Sequence, residues 1–205
     1  MSGPDAPSTP GPAEDPVAVL LEWLADAEAH DEIRYAGAAT LATVDGDGVD
    51  ARVILVHAVD DRGLLFGTDT RSPKARQLRS NPAAALTLYW GPLERQVRIR
   101  GAVEPCDGDD ADRTFDDRPR GSRVTAWACQ QSREVVDRAV IEARFSEAEA
   151  LFAAAPVVPR PDSWRAYRLV PERFELWSAG RFRLHRRRGF ERKPGGGWRR
   201  FTLEP

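Results

Sequence analysis

The chain has 205 residues, 41% hydrophobic and 30% charged, with a formal net charge of -2. That balance suits one soluble domain with a substantial core and is too polar for a membrane protein. No apolar run nears the ~18 residues of a membrane-spanning helix, and the N-terminal stretch lacks the basic-then-apolar layout of a secretory signal, so a cytoplasmic location is expected. Cys106 and Cys129, with no CxxC and no nearby histidine pair, suggest neither a disulfide framework nor a metal site.

Residues 1–14 are rich in Pro, Gly, Ser and acids, which predicts a flexible lead-in to a domain over 15–205. Asp15 before Pro16 reads as a helix N-cap, and Val17, Leu20, Leu21, Leu24 and Ala27 follow at helical spacing to about Ala29. From Ala38 to Glu104 the pattern becomes β-rich: ATLATV, VDARVILVHAV and LLFGT are separated by the turns Asp45 to Gly48 and Asp60 to Gly63. Ser72 and Pro73 open a short helix that Asn81-Pro82 stops, and the strands ALTLYW and ERQVRIRGAVE come next. Helices are predicted at Asp109 to Asp117, from Ser132, and after a capping box at Ser146 to Glu149. Beyond Pro156 to Pro161, strands return as SWRAYRLV, RFELWSA, RFRLHRR and WRRFTL. The expected class is mainly β with flanking helices, an antiparallel barrel.

Three clusters could carry chemistry. In RFRLHRR the two-residue strand period would place Arg183, His185 and Arg187 on one face, with Phe182 and Leu184 on the other. Taken alone, that face suits a solvated edge strand better than an anion site. In TDTRSPKA a hydroxyl, an ammonium and first-turn N–H groups could meet a phosphate, although Ser-Pro is also an ordinary helix start. In LERQVRIRG, Gln96 could bond a heteroaromatic edge, while Arg98 and Arg100 fit an exposed polar face. The arginine-rich C-terminal stretch attracts anions. A single-stranded nucleic acid would want aromatics on the basic face, and Phe182 and Leu184 would point away from it, so no nucleic-acid partner is expected.

Read in order with ARVILVH and RPRGSRVTAWACQQS, these segments resemble the pyridoxine/pyridoxamine 5'-phosphate oxidase family from about Asp15 to the C-terminus. The resemblance implies a six-stranded antiparallel FMN-binding split β-barrel, a homodimer with flavin sites at its interface, and no membrane partner. It also implies oxidation of the substrate 4' carbon to the aldehyde, with hydride passing to the flavin and O2 reduced to hydrogen peroxide. For FMN it implies Arg52, Val53, Ile54, Thr68, Ser72 and Lys74 together with Gln96, Gln131, Ser132, Trp177 and Arg187. For substrate it implies His57, Thr114, Arg118 and Ser122, with Arg183 and His185 as the catalytic pair over the substrate ring. The flavin does the difficult chemistry, so these residues orient and polarise.

Four positions depart from the family pattern: His57 stands for a lysine, Thr114 and Gly67 for tyrosines, and Pro73 for an arginine. The related flavin oxidases of phenazine biosynthesis, which act on unphosphorylated polycyclic substrates, also resemble the chain and also lack that lysine. They give an alternative reading, and a flavin-binding protein without turnover gives another. An unbroken strand would send Arg52 and His57 to opposite faces, so both can reach the ligands only if the strand is bulged or the site spans its edge or the dimer contact.

Overall fold

The computed structural model of the protein describes residues 14–106 and 108–205. The predicted flexible lead-in falls outside them except for Glu14, which is tied to the folded part by ion pairs to Arg188 and, at 3.2 Å, to Arg200. Helix α1 (Pro16–Glu28) starts where predicted: the Asp15 carboxylate accepts from the Val17 N–H at 3.1 Å, and Leu20, Trp23 and Ala27 are buried beneath it.

Among the described residues nine strands follow, all antiparallel: β1 (Ala38–Asp45), β2 (Gly48–Leu55), β3 (Ala58–Asp60), β4 (Gly63–Asp69), β5 (Ala83–Trp90), β6 (Arg95–Cys106), β7 (Trp164–Ser178), β8 (Arg186–Arg192) and β9 (Trp198–Thr202). Helix α2 (Pro73–Ser80) lies between β4 and β5, and α3 (Asp109–Asp116), α4 (Arg120–Ala128) and α5 (Arg138–Leu151) lie between β6 and β7. The sheet order is β2-β1-β5-β6-β7-β4-β3, with β8 on β7 and β9 on β8.

Strand β7 explains how one sheet splits. Along one edge it pairs with β6 throughout, whereas along the other its first half pairs with β4 and its second half with β8. A bulge between Arg100 and Gly101 lets β6 follow it, and Gly101 is required there because a Cβ would lie 1.9 Å from the Val170 carbonyl oxygen. The path ends, β2 and β3, are consecutive in sequence, and the chain joins them at Val56 and His57. Val56 N–H donates to Gly37 O beside β1 (2.9 Å), then His57 N–H donates to Leu65 O in β4 (2.8 Å).

Cross-strand register divides the sheet into two faces. The inner face carries Leu41, Leu86, Leu88, Val97, Ile99, Phe174, Leu176 and Phe190, which form the core with α1. The outer face carries a lateral row Tyr89, Gln96, Trp177, Arg187, each opposite the next.

Several expectations are corrected. The resemblance implies six strands and the described residues form nine, the number of β-runs in the sequence, although VDARVILVHAV is cut in two and SWRAYRLV and RFELWSA run on as one strand. RFRLHRR is not a strand from its start. Residues 181–185 form a tight turn with left-handed backbone at Phe182 (φ 59°) and Arg183 (φ 65°), and the strand begins at Arg186. Arg183, His185 and Arg187 therefore do not share a strand face. The turn wraps over Gly180, where a Cβ would meet the Leu184 carbonyl oxygen at 1.9 Å. A helix from Ser132 fails because that residue is left-handed (φ 64°), and Asp137 caps α5 instead. The Ser146 hydroxyl donates to the Glu142 carbonyl within the same helix, so no third helix starts there. Helix α4 is unanticipated; Val124 on it packs with Ala148, Phe152 and Val158 in a small satellite core.

Candidate active site

A cavity of about 650 Å³ opens between β2, β4, the start of α2 and the segment 117–132; Arg52, His57, Lys74, Arg118, Ser122, Gln131 and Trp164 are among its walls. A larger groove of about 920 Å³ lies along β1, β5 and the β8–β9 hairpin, but none of the candidate cofactor or substrate residues lines it. Its cations make the smaller cavity the candidate site.

At one end, Arg52 projects from the inner face of β2 into a braced network. Its guanidinium donates to Thr43 Oγ1 (2.6 Å), Leu41 O (3.3 Å) and Gln77 Oε1 (3.0 Å), and it is ion-paired with Asp50. Gln77 Nε2 donates to Asp50 (3.2 Å), and this bond together with Arg52 holds the Asp50 carboxyl below its ordinary range. Lys74, one helical turn before Gln77, is only 5% exposed; its ammonium donates to Gln131 Oε1 (2.9 Å) and Thr68 Oγ1 (3.3 Å). Burial, then the neighbouring Arg52, pushes the Lys74 pKa down to about 8. The Ser72 hydroxyl caps α2 by accepting from Ala75 N–H and lies 3.4 Å from Thr68 Oγ1. This end offers concentrated positive charge to an anion at a helix N-terminus.

At the other end stand Arg118, Ser122 and His57. Arg118 NH1 is buried and has no hydrogen-bond partner among the described residues, a cost unless an anion meets it. His57 faces the cavity 3.9 Å from Asp117 Oδ2. Burial pushes its pKa down, Asp117 pushes it up less, and Arg118 and Arg113 also push it down. His57 is thus largely neutral near pH 7. Arg52 and His57 share one cavity because the chain changes hydrogen-bonding partner at Val56 and His57, which breaks the strand alternation. Thr114 is not in the wall. It is fully buried, and its hydroxyl accepts from Trp164 Nε1 (3.1 Å) and donates to Ala111 O (3.0 Å), so it has no donor left for a ligand.

Five further candidates, Gln96, Trp177, Arg183, His185 and Arg187, lie elsewhere. Gln96, Trp177 and Arg187 form the outer-face row, with Arg187 donating to Glu175 Oε1 (2.8 Å) and Glu204 O (2.7 Å). The His185 ring lies 4.8 Å from that of Trp177, and its Nδ1 accepts from Gly180 N–H at 3.3 Å. Arg183 is exposed in the turn. Inner-face Arg52 and outer-face Gln96, Trp177 and Arg187 are thus on opposite sides of one sheet. Val53, on the outer face of β2, and Ile54, on the inner, both line the cavity.

Residues 25–152 match the family model described as pyridoxamine 5'-phosphate oxidase, and residues 164–205 match a pyridoxine 5'-phosphate oxidase C-terminal dimerisation region. The chain belongs to the pyridoxamine 5'-phosphate oxidase family. This is a family of FMN-dependent oxidoreductases, and FMN is the cofactor. Among its curated members, the pyridoxine/pyridoxamine 5'-phosphate oxidase of Cupriavidus necator is 45% identical over 194 residues, covering 94% of this chain and 90% of its own. That of Anaeromyxobacter dehalogenans is 45% identical, covering 97% and 100%. Among solved structures, PhzG of Burkholderia lata in complex with tetrahydrophenazine-1-carboxylic acid is 35% identical with a TM-score of 0.86, covering 95% and 94%.

The buried cations fit a phosphorylated flavin of this family: Lys74 has no ion-paired carboxylate among the described residues, and hydroxyl and amide groups surround it. Sequence reasoning missed Thr43, Asp50 and Gln77. Thr43 was detectable as a polar residue at an inward position after Ala39 and Leu41, and Gln77 as the i+3 neighbour of Lys74 on the same face of α2. Asp50 was detectable as the residue two before Arg52, on the same strand face.

Proposed function

We propose that the protein oxidises pyridoxine 5'-phosphate or pyridoxamine 5'-phosphate to pyridoxal 5'-phosphate, with O2 as acceptor and hydrogen peroxide as product, as a homodimer. The observation that carries this reading is the pair of separated cationic centres in one cavity, Arg52 with Lys74 and Arg118 with its unpaired NH1, which suits two phosphorylated ligands held side by side. The curated relatives at 45% identity support the same substrates.

Bound FMN would supply the two-electron acceptor. Arg52 and Lys74 would hold its phosphate, with Thr68, Ser72, Gln131 and Ser132 bonding around it. Arg118 and Ser122 would hold the substrate anion. Ile54, on the inner face of β2, would add apolar contact. His185, whose Nδ1 accepts from Gly180 N–H, would present Nε2 to the substrate, with Trp177 packed against its ring. Arg183 would close over the substrate.

Opposite-face placement is what supports the homodimer. Gln96, Trp177, Arg187, Arg183 and His185 can serve the same ligand as Arg52 and Lys74 only if a second copy presents its outer sheet face to this cavity. The outer face of β2 carries Val49, Val53 and Leu55, exposed by 83%, 68% and 47%, an apolar row suited to such a contact. The matched dimerisation region contains Trp177, Arg183, His185 and Arg187.

A second reading, oxidation of an unphosphorylated polycyclic carboxylate, is favoured by the largely neutral His57 and the committed hydroxyl of Thr114, which leave Arg118 as the fixed charge at the substrate end. Anaerobic mixing of the yellow holoenzyme with each compound class distinguishes the readings. Bleaching by pyridoxine 5'-phosphate at the faster rate supports the first; faster bleaching by a reduced phenazine carboxylate overturns it.

A further inference from the structure

We propose that Trp164 is a positioning residue that aims Arg118 into the cavity, and that Gly67 determines specificity for the substrate anion by leaving room for the indole; this rests on the reading of Arg118 as the substrate's anion contact. Trp164 opens β7, and Gly67 lies in the adjacent β4. A Cβ on Gly67 would stand 2.6 Å from Cζ2 and 2.9 Å from Cε2 of the indole, and 2.9 Å from Thr114 Oγ1. The ring therefore fills the space that any side chain at 67 would claim. Its N–H is fixed by Thr114 at 3.1 Å, and Phe115 packs edge-on at 5.7 Å. Gly67, Thr114 and Phe115 thus hold three sides.

The guanidinium of Arg118 lies over the indole, 4.2 Å from the ring centroid. A carboxylate partner would also fix an arginine, but would neutralise it. An aromatic face fixes it and leaves the full charge, together with the unpaired NH1, for a ligand. Two small residues, Gly67 and Thr114, make this platform possible. A side chain at 67 must displace the indole, and the arginine moves with it.

The test is equilibrium binding to the FMN-loaded protein of 4-deoxypyridoxine 5'-phosphate, which lacks the 4' hydroxyl and cannot be oxidised, against 4-deoxypyridoxine. Trp164→Leu and Gly67→Ala should each weaken the phosphorylated analogue about tenfold, leave the unphosphorylated one within about twofold, and leave FMN affinity unchanged. Trp164→Phe, which keeps a ring face, should recover most of the loss. Trp164→Leu combined with Arg118→Ala should bind no worse than Arg118→Ala alone, a coupling that a merely structural tryptophan would not produce. Additive losses, or equal losses for both analogues, overturn the proposal while leaving Arg118 as the anion contact. No effect of Arg118→Ala by itself removes that underlying reading as well. Should Trp164→Leu lose FMN, Gly67→Ala takes its place in the same double-variant cycle, and additive losses there overturn the proposal equally.

Discussion

The two ends of the cavity are built by different means. At the Arg52 and Lys74 end, both cationic groups are braced by neutral or acidic partners: Thr43 on β1, Asp50 on β2, Thr68 on β4, Gln77 on α2 and Gln131 after α4. At the Arg118 end the guanidinium rests on an aromatic face, one of its nitrogens has no partner among the described residues, and the histidine beside it is driven toward neutrality. Bracing fixes geometry before a ligand arrives, so the ligand loses little in ordering the site. An unpaired buried donor leaves free energy to be recovered only on binding. The first design suits a resident cofactor and the second a transient substrate.

The largest expected effect tests the braced end. Arg52→Ala removes a multiply bonded cation and should weaken FMN by roughly two orders of magnitude or more. Quenching of flavin fluorescence on titration measures it. Retention of wild-type FMN affinity would mean that the bracing serves the fold alone. Next in size, Arg118→Ala should raise the dissociation constant of a phosphorylated substrate analogue by ~10 to 150 fold, the range of one charge-assisted contact, while FMN stays bound. Release of FMN by this change would merge the two ends into one site.

Much of this contrast was legible in the sequence, and the reasons for the rest are physical. The Asp15 and Ser72 caps were readable because capping is local, decided within three residues. The site at the Arg52 end was readable in part, since Ser72, Lys74 and Thr68 lie close together along the chain. The turn over Gly180 was not: Phe182 and Arg183 adopt left-handed backbone against the preference of bulky residues, and β-like alternation concealed it. Nor was Trp164 legible as a platform, because its meaning depends on the empty face of Gly67, almost a hundred residues earlier, meeting it across β4 and β7. Local chemistry announces itself; long-range complementarity appears only once register is fixed.

A smaller effect sharpens the substrate end. His57→Lys places a charge that stays protonated across the physiological range where the native ring does not, and should tighten a phosphorylated analogue about tenfold near pH 7.5. In the native protein, phosphate contact would raise the histidine pKa from its depressed value, so its help grows as pH falls and is lost as pH rises. The phosphate's own second ionisation near ~6 runs the opposite way, and the difference between native and lysine profiles isolates the histidine. Identical profiles from titration calorimetry would remove His57 from the phosphate contact.

The smallest effect is the pH dependence of the cofactor itself. Lys74 is held at about 8 by burial and by Arg52, so in the FMN-free protein it loses its proton just above neutrality. A phosphate beside it favours the ammonium, so its pKa in the complex exceeds that in the free protein. The sign follows: binding is strongest below about 8, where the free protein already carries the proton, and weakens as pH rises from there toward the higher pKa of the complex. For a complex that keeps the proton throughout, the loss between about pH 7 and 8.5 is roughly fourfold. Lys74→Arg, whose charge does not titrate in this range, should flatten that slope even if its longer side chain binds FMN less well. Titration of FMN at several pH values with native and Lys74→Arg protein reads the difference directly; equal slopes would take Lys74 out of the phosphate contact and leave Arg52 to carry the braced end without it.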